Sequence, residues 1–123
     1  MKIVVQKFGG SSLTTSEMRN EAQQRVWEAV EEGLRPVVVV SAMGRRGDPY
    51  ATDTLLDLME KTNPGAEGSN VDLLLSCGEI ISASIFAEGL RTMGLPAQAV
   101  TGWQCGITTD EVHQAARVTG VQS

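Results

Sequence analysis

Cysteine is scarce in this chain of 123 residues: Cys77 and Cys105 are the only two, too few and too far apart for a zinc motif or a disulfide framework. Small buried side chains in a reducing cytosol are the expected role of both. Positive charge is also in short supply, since 10 lysines and arginines face 15 acids, leaving a formal net charge of -5. That balance excludes the broad basic face a nucleic-acid backbone requires. It does not exclude a small anionic ligand, provided the few cations gather locally, and Lys7 and the Arg45-Arg46 pair stand close to glycines. The stretch Met1-Lys2-Ile3-Val4-Val5-Gln6-Lys7 reaches polar residues too soon for a signal-peptide core. No apolar run approaches the roughly 20 residues of a membrane span. Internal repeats, low-complexity segments and a second-domain boundary are missing too. The expectation is a soluble cytoplasmic domain with neither a nucleic-acid nor a membrane partner.

What the chain does contain is a globular composition, 41% apolar and 20% charged, in a length suited to one compact domain. Residues 3–7 read as a short buried strand rich in β-branched side chains. It runs into Lys7-Phe8-Gly9-Gly10-Ser11-Ser12, a cation followed by a flexible loop of hydrogen-bond donors. Glycines let backbone N–H groups approach phosphate oxygens, serines add hydroxyl donors, and lysine adds charge. The competing reading is a tight turn after an edge strand with a solvated lysine. The lysine precedes the glycines, so this is not a Walker A loop, and the spacing does not match the dinucleotide fingerprint.

Thr14 and Glu17 have the spacing of a capping box, and Met18, Ala22, Val26, Ala29 and Val30 then recur as a helical stripe bordered by Trp27. Gly33 stops that helix. Pro36 opens Val37-Val38-Val39-Val40, a run suited to a parallel strand covered on both faces. Strand, helix and strand make a βαβ unit, whose ligands gather at the carboxyl ends of the strands. The segments Lys7 to Ser12 and Ser41 to Asp53 should therefore meet on one rim. Beyond the loop from Met43 to Tyr50, Thr52-Asp53 is read as the cap of a short helix carrying Leu55, Leu56, Leu58 and Met59. From Val71 to Leu90 the density of apolar residues, including Leu73, Leu74, Cys77, Ile80, Ile81 and Ile85, predicts a helix buried over much of its circumference. Ser76, Gly78, Ser82 and Ala83 would let another backbone come close. Glu79 interrupts that segment: it is either a half-exposed glutamate or a carboxylate facing a cleft, where an unpartnered burial would cost several kcal/mol. Ala97 to Thr101 reads as a third strand, 102–106 as a turn and Ile107-Thr108-Thr109 as another strand. His113, the one histidine, has no evident partner and reads as structural or solvated.

Taken together, five segments resemble the aspartate kinase family. They are Lys7-Phe8-Gly9-Gly10-Ser11-Ser12, the stretch from Val38 to Gly44, that from Ala51 to Leu56, that from Leu73 to Ser82, and that from Thr101 to Asp110. Each alone is weak, whereas all five in this order are specific and cover nearly the whole chain. The resemblance implies a three-layer α/β/α sandwich with a mainly parallel sheet, the amino-acid kinase fold. It also implies ATP-dependent phosphorylation of the side-chain carboxylate of L-aspartate, with Mg²⁺ on the nucleotide and no protein ligand to the metal identified. By the same resemblance Lys7, Phe8, Gly9, Gly10, Ser11 and Ser41 contact the nucleotide phosphates, with Lys7 the catalytic cation. Thr52 binds aspartate, and Glu79 pairs with its α-ammonium. A homo-oligomer is expected.

One departure matters. The later Gly-Arg-Gly-Gly-Ser-Asp-type loop of the family, with its acidic catalytic residue and substrate-binding arginine, has no counterpart, and neither do the ACT-type regulatory domains. Residues 1–123 are thus expected to be the N-terminal portion of a single kinase domain, inactive by itself. Two alternatives stand beside this: another amino-acid kinase, acting on glutamate, acetylglutamate or a carbamate, and a non-catalytic half-domain that self-associates through an open sheet edge.

Overall fold

The N-terminal apolar residues form strand β1 (Ile3–Phe8), and those around Pro36 form β2 (Arg35–Val40). The computed structural model describes residues 1–122. The two strands pair in parallel, from Ile3 beside Arg35 to Phe8 beside Val40. Parallel strands need a crossover instead of a tight turn, and helix α1 (Ser16–Glu31) supplies it. The described residues therefore have an α/β fold.

Helix α1 starts one residue later than the capping-box spacing predicts. Thr15, not Thr14, is the N-cap, its hydroxyl accepting from the Met18 amide at 3.1 Å. The reason is the single 3-10 turn at Gly10–Ser12, which ends on fully buried Leu13 and carries Thr14 with it, the Thr14 hydroxyl donating back to the Gly10 carbonyl at 3.4 Å. The far end behaves as predicted: Gly33 adopts φ +84°, its N–H bonding the Val30 carbonyl at 2.9 Å and the Leu34 N–H the Ala29 carbonyl at 3.0 Å. This is a Schellman stop, which needs a left-handed residue at that point. Of the predicted stripe, Ala22, Val26 and Ala29 are buried, Val30 is half-buried and Met18 is exposed.

Both strands alternate strictly. Val4, Gln6, Phe8, Pro36, Val38 and Val40 are partly buried, and the residues between them are exposed. The even-numbered face packs on a core of Leu13, Ala22, Val26, Met43, Phe86 and Leu90. The expectation that Val37 to Val40 is covered on both faces is corrected: Ile3 is 68% exposed, Val5 67%, Val37 51% and Val39 45%. Of three layers, the described residues supply the sheet and one helical layer, so the second face of each strand has nothing against it.

Helix α2 (Thr52–Thr62) has Ala51 at its N-cap without a side-chain hydrogen bond, so Thr52 is its first helical residue and not its cap. Helix α3 (Ser69–Thr92) packs through Val71, Gly78, Ser82, Phe86 and Leu90. That face is narrower than predicted. Leu73 is 69% exposed, and Ile80, Ile85 and Cys77 also reach solvent. Close approach decides the face: a Cβ on Gly78 would lie 3.0 Å from the Ala42 Cβ and 3.2 Å from the Tyr50 carbonyl oxygen. By length and composition α3 is apolar enough to cross a membrane, which corrects the reading that no run approaches that length. Its packing against α1 and β2 accounts for the buried face only, and 28% of that apolar stretch is buried.

Ala97 to Thr101 is not a hydrogen-bonded strand, although residues 95–101 keep the half-buried, exposed alternation of one. It has no ladder partner among the described residues. Strand β3 (Ile107–Thr109) pairs antiparallel with β4 (Val118–Val121), a strand the sequence did not betray. This hairpin is tied back to α3. Asp72 faces the His113 Nδ1 at 2.8 Å and accepts from the Gln114 amide at 3.0 Å, giving the histidine the partner that was not evident in sequence.

Candidate active site

The carboxyl ends of β1 and β2 meet as the βαβ reading requires. Past the last paired residues the Ser41 amide donates to the Phe8 carbonyl at 3.1 Å, and the Gly44 amide donates to the Gly10 carbonyl at 2.8 Å. Gly10 is pressed so near the second loop that a Cβ there would collide with the Ala42 carbonyl oxygen and lie 3.0 Å from that of Gly44. Arg19 braces the first loop from α1, its guanidinium donating to the Leu13 carbonyl at 3.0 Å and the Thr14 carbonyl at 3.3 Å. A cleft of about 310 Å³ results, bordered by Gly10, Ser11, Ser41, Arg45, Thr52 and Asp53 among others. It brings together two segments some thirty residues apart in sequence.

Other predicted site residues lie differently. The Phe8 ring stacks on Phe86 in the core, with centroids 5.5 Å apart, so only its backbone faces the rim, and its carbonyl is taken by Ser41. Gly9 is extended and has open space where a Cβ would be. Lys7 is exposed on the uncovered sheet face that it shares with Ile3 and Val5, at the end nearest the loops. It does not line the cleft. Glu79 is exposed on α3, beside the Gly78 contact, so the desolvation problem raised by a buried carboxylate does not arise. Cys77 and Cys105 are both exposed, contrary to the expected burial.

The loop after β2 is more ordered than its glycines imply. Gly44 takes φ +90°, with the Asp48 carboxylate occupying the space a side chain would fill. That carboxylate accepts from the Arg45 amide at 2.7 Å. Arg46 bonds Asp57 and lies 3.7 Å from Asp53, both on α2. The hydrogen bond from Asp57, reinforced by the negative charges of Asp57 and Asp53, pushes the Arg46 guanidinium above its ordinary value. Whatever stability the raised value adds is fully present below the ordinary arginine value and is lost as pH rises from there through the raised one, far on the alkaline side, so the titration of Arg46 adds no pH dependence near neutrality. Sequence reasoning picked out the arginines but not Asp48, Arg19 or Asp57, whose roles depend on contacts no local spacing reveals.

A larger cavity of about 530 Å³ lies between the edge of β2, α3 and residues 95–100, walled by Val38, Val40, Phe86, Leu90 and Leu95. Its lining is mostly apolar, with Arg35 and Gln98 its polar side chains, whereas a charged substrate needs several polar groups to orient it. The rim cleft is the better candidate despite being smaller.

The sequence matches the amino acid kinase family over residues 2–122. The chain belongs to the amino acid kinase family. Among its relatives, this kinase-family chain is 48% identical over 118 residues to aspartokinase 1 of Bacillus subtilis (strain 168), covering 96% of the chain and 29% of that protein. It is 41% identical over 123 residues to an aspartokinase of Geobacillus stearothermophilus, covering 100% and 29% respectively. Its fold resembles the crystal structure of aspartate kinase from Synechocystis with a TM-score of 0.67 and 39% identity, over 76% of this chain and 15% of that one. The chain thus spans about 29% of the length of the curated relatives it matches.

Proposed function

We propose that the chain forms one wall of the ATP and aspartate site of an aspartate kinase, a cytoplasmic homo-oligomeric enzyme that converts ATP and L-aspartate to ADP and 4-phospho-L-aspartate. The product is a precursor of lysine, threonine, methionine and diaminopimelate. The observation that carries this reading is the cleft itself, which Gly10, Ser11, Ser41 and Thr52 all border. Residues 1–122 are on this reading part of a single kinase domain.

The chemistry follows from charge. A carboxylate must attack a polyphosphate, so two anions have to be held in line, and positioning with electrostatic stabilisation does most of the work. Gly10 and Ser11 present amides and a hydroxyl to the phosphates at a point where no side chain fits. Lys7, exposed at the strand end and without an acidic partner among the described residues, is on this reading the cation that offsets the negative charge on the equatorial oxygens of the transferring phosphoryl group. Phe8 and Gly9 contribute backbone only. Ser41 supplies a hydroxyl on the nucleotide side, Thr52 a hydroxyl to aspartate, and Glu79 pairs in water-accessible surroundings with the α-ammonium. Mg²⁺ arrives on the nucleotide and neutralises phosphate charge when bound.

Calorimetric titration of the chain with L-aspartate and with N-acetyl-L-glutamate tests the substrate assignment. Aspartate should bind and lose affinity in Thr52→Ala; preference for the acetylated acid would transfer the reading to another amino-acid kinase. Incubated alone with Mg-ATP and aspartate, the chain should release no appreciable ADP in a coupled assay. Turnover abolished by Lys7→Ala would overturn that expectation.

A second reading, self-association without catalysis, is favoured by the apolar sheet face of Ile3, Val5, Val37 and Val39. The two are compatible in one chain.

A further inference from the structure

The loop after β2 carries two adjacent arginines with opposite fates. Arg46 is neutralised by Asp53 and Asp57 of α2. Arg45 has both backbone groups engaged, its amide by the Asp48 carboxylate at 2.7 Å and its carbonyl by the Asp48 amide at 2.8 Å, yet its side chain has no acidic partner among the described residues. The flanking residues are pinned as well: the Gly44 amide on the Gly10 carbonyl at 2.8 Å and the Gly47 amide on the Thr54 hydroxyl at 3.1 Å. A loop anchored at every residue from 44 to 47 thus holds one uncommitted guanidinium, and that residue borders the cleft. Asp53 is the one carboxylate among the residues bordering it, and Arg46 lies 3.7 Å away from it. Among the residues bordering the cleft, Arg45 is therefore the charge left unbalanced.

We propose that Arg45 receives an oxyanion of the bound substrate. The assignment rests on the reading of this cleft as a kinase site. A guanidinium on a fixed backbone meets two oxygens of one group in a single plane, and this fork suits carboxylate and phosphate alike. An ordinary solvated surface arginine would need no such anchoring around it. The two sources of the oxyanion are the terminal phosphate of the nucleotide and a carboxylate of L-aspartate.

Titrating the full chain separately with Mg-ATP and with L-aspartate, in wild type, Arg45→Gln, Arg45→Lys and Thr52→Ala, separates the outcomes. Arg45→Gln should weaken one of the two ligands by roughly tenfold or more. Arg45→Lys should recover part of the loss, since charge returns without the fork. The ligand affected names the source. The dependence of its affinity on ionic strength should flatten in Arg45→Gln, a change that a purely structural role would not produce. If both ligands bind Arg45→Gln as they bind wild type while Thr52→Ala weakens aspartate, the role of Arg45 is overturned and the kinase reading stands. If the wild-type chain binds neither ligand, both fall. Amide spectra of Arg45→Gln should match wild type outside residues 44–48; shifts spreading into α2 would mark Arg45 as a structural residue and overturn the proposal.

Discussion

Gly10 borders the cleft, and its tolerance is set by the backbone of the neighbouring loop. The atom that a Cβ would strike is a carbonyl oxygen, which cannot swing aside as a side-chain end would. Gly10→Ala should therefore push the two loops apart, costing about 1–3 kcal/mol by overpacking. Urea denaturation would measure the loss, and Mg-ATP affinity should fall with it. An alanine variant as stable as wild type would show that the loops are not in contact. Thr15 offers a second test at this scale. Thr15→Ala should cost about 1 kcal/mol, the usual value of a lost N-cap, while Thr14→Ala should cost clearly less. The reverse order in thermal melts would restore the capping box at Thr14. Sequence placed the helix start within one residue of its position. It failed on the cap because two threonines stand side by side and only the preceding 3-10 turn decides between them.

At the scale of elements, α1 and α3 touch where a glycine faces a glutamine. Gln23 is 3% exposed, and its side-chain amide donates to the Phe86 carbonyl at 3.4 Å while lying against Gly89. A methyl group at Gly89 would meet the Gln23 amide head-on. Gly89→Ala should gain helix propensity yet displace the buried Gln23 side chain from the Phe86 carbonyl, so the net loss should be no more than about 1 kcal/mol. A much larger loss in the melt would show that Gln23 cannot swing aside and that the helices are forced apart. This crossing also explains why α3 was only half legible. Leu and Ile occur on every side of it, so apolar density gives no direction, and the residues that choose the packed face are Gly78 and Ser82, which hydropathy barely registers. The parallel pair β1 and β2 was legible because β-branched runs, a Schellman glycine and Pro36 all agree. The tie from His113 to Asp72 spans 41 positions, and no local spacing can reveal it. Asp72→Ala should speed amide exchange across β3 and β4 while lowering global stability by about 1 kcal/mol or less, the usual scale for an exposed pair.

Over the whole molecule, the unbalanced feature is the sheet. One face is packed by α1 and α3, and the other presents Ile3, Val5, Val37 and Val39 to water beside Lys7. An apolar face of this kind, with strand edges unpaired among the described residues, favours association. Sedimentation velocity should find concentration-dependent oligomers that Val5→Lys shifts toward monomer. A compact monomer at all concentrations would remove the second functional reading. The candidate site was legible as a rim because two strand ends and their polar loops must meet in any βαβ unit. The order of the second loop was not, since it is fixed by Asp48, Asp53 and Asp57 through contacts across turns and onto α2.

The central claim is that the loops at the strand ends bind the nucleotide phosphates. An amide-resolved NMR titration of the chain with Mg-ATP tests it most directly. Saturable shifts should centre on Gly10, Ser11 and Ser41, with β3 and β4 unmoved. Shifts confined to the apolar cavity beside β2, or none at all, would contradict the account.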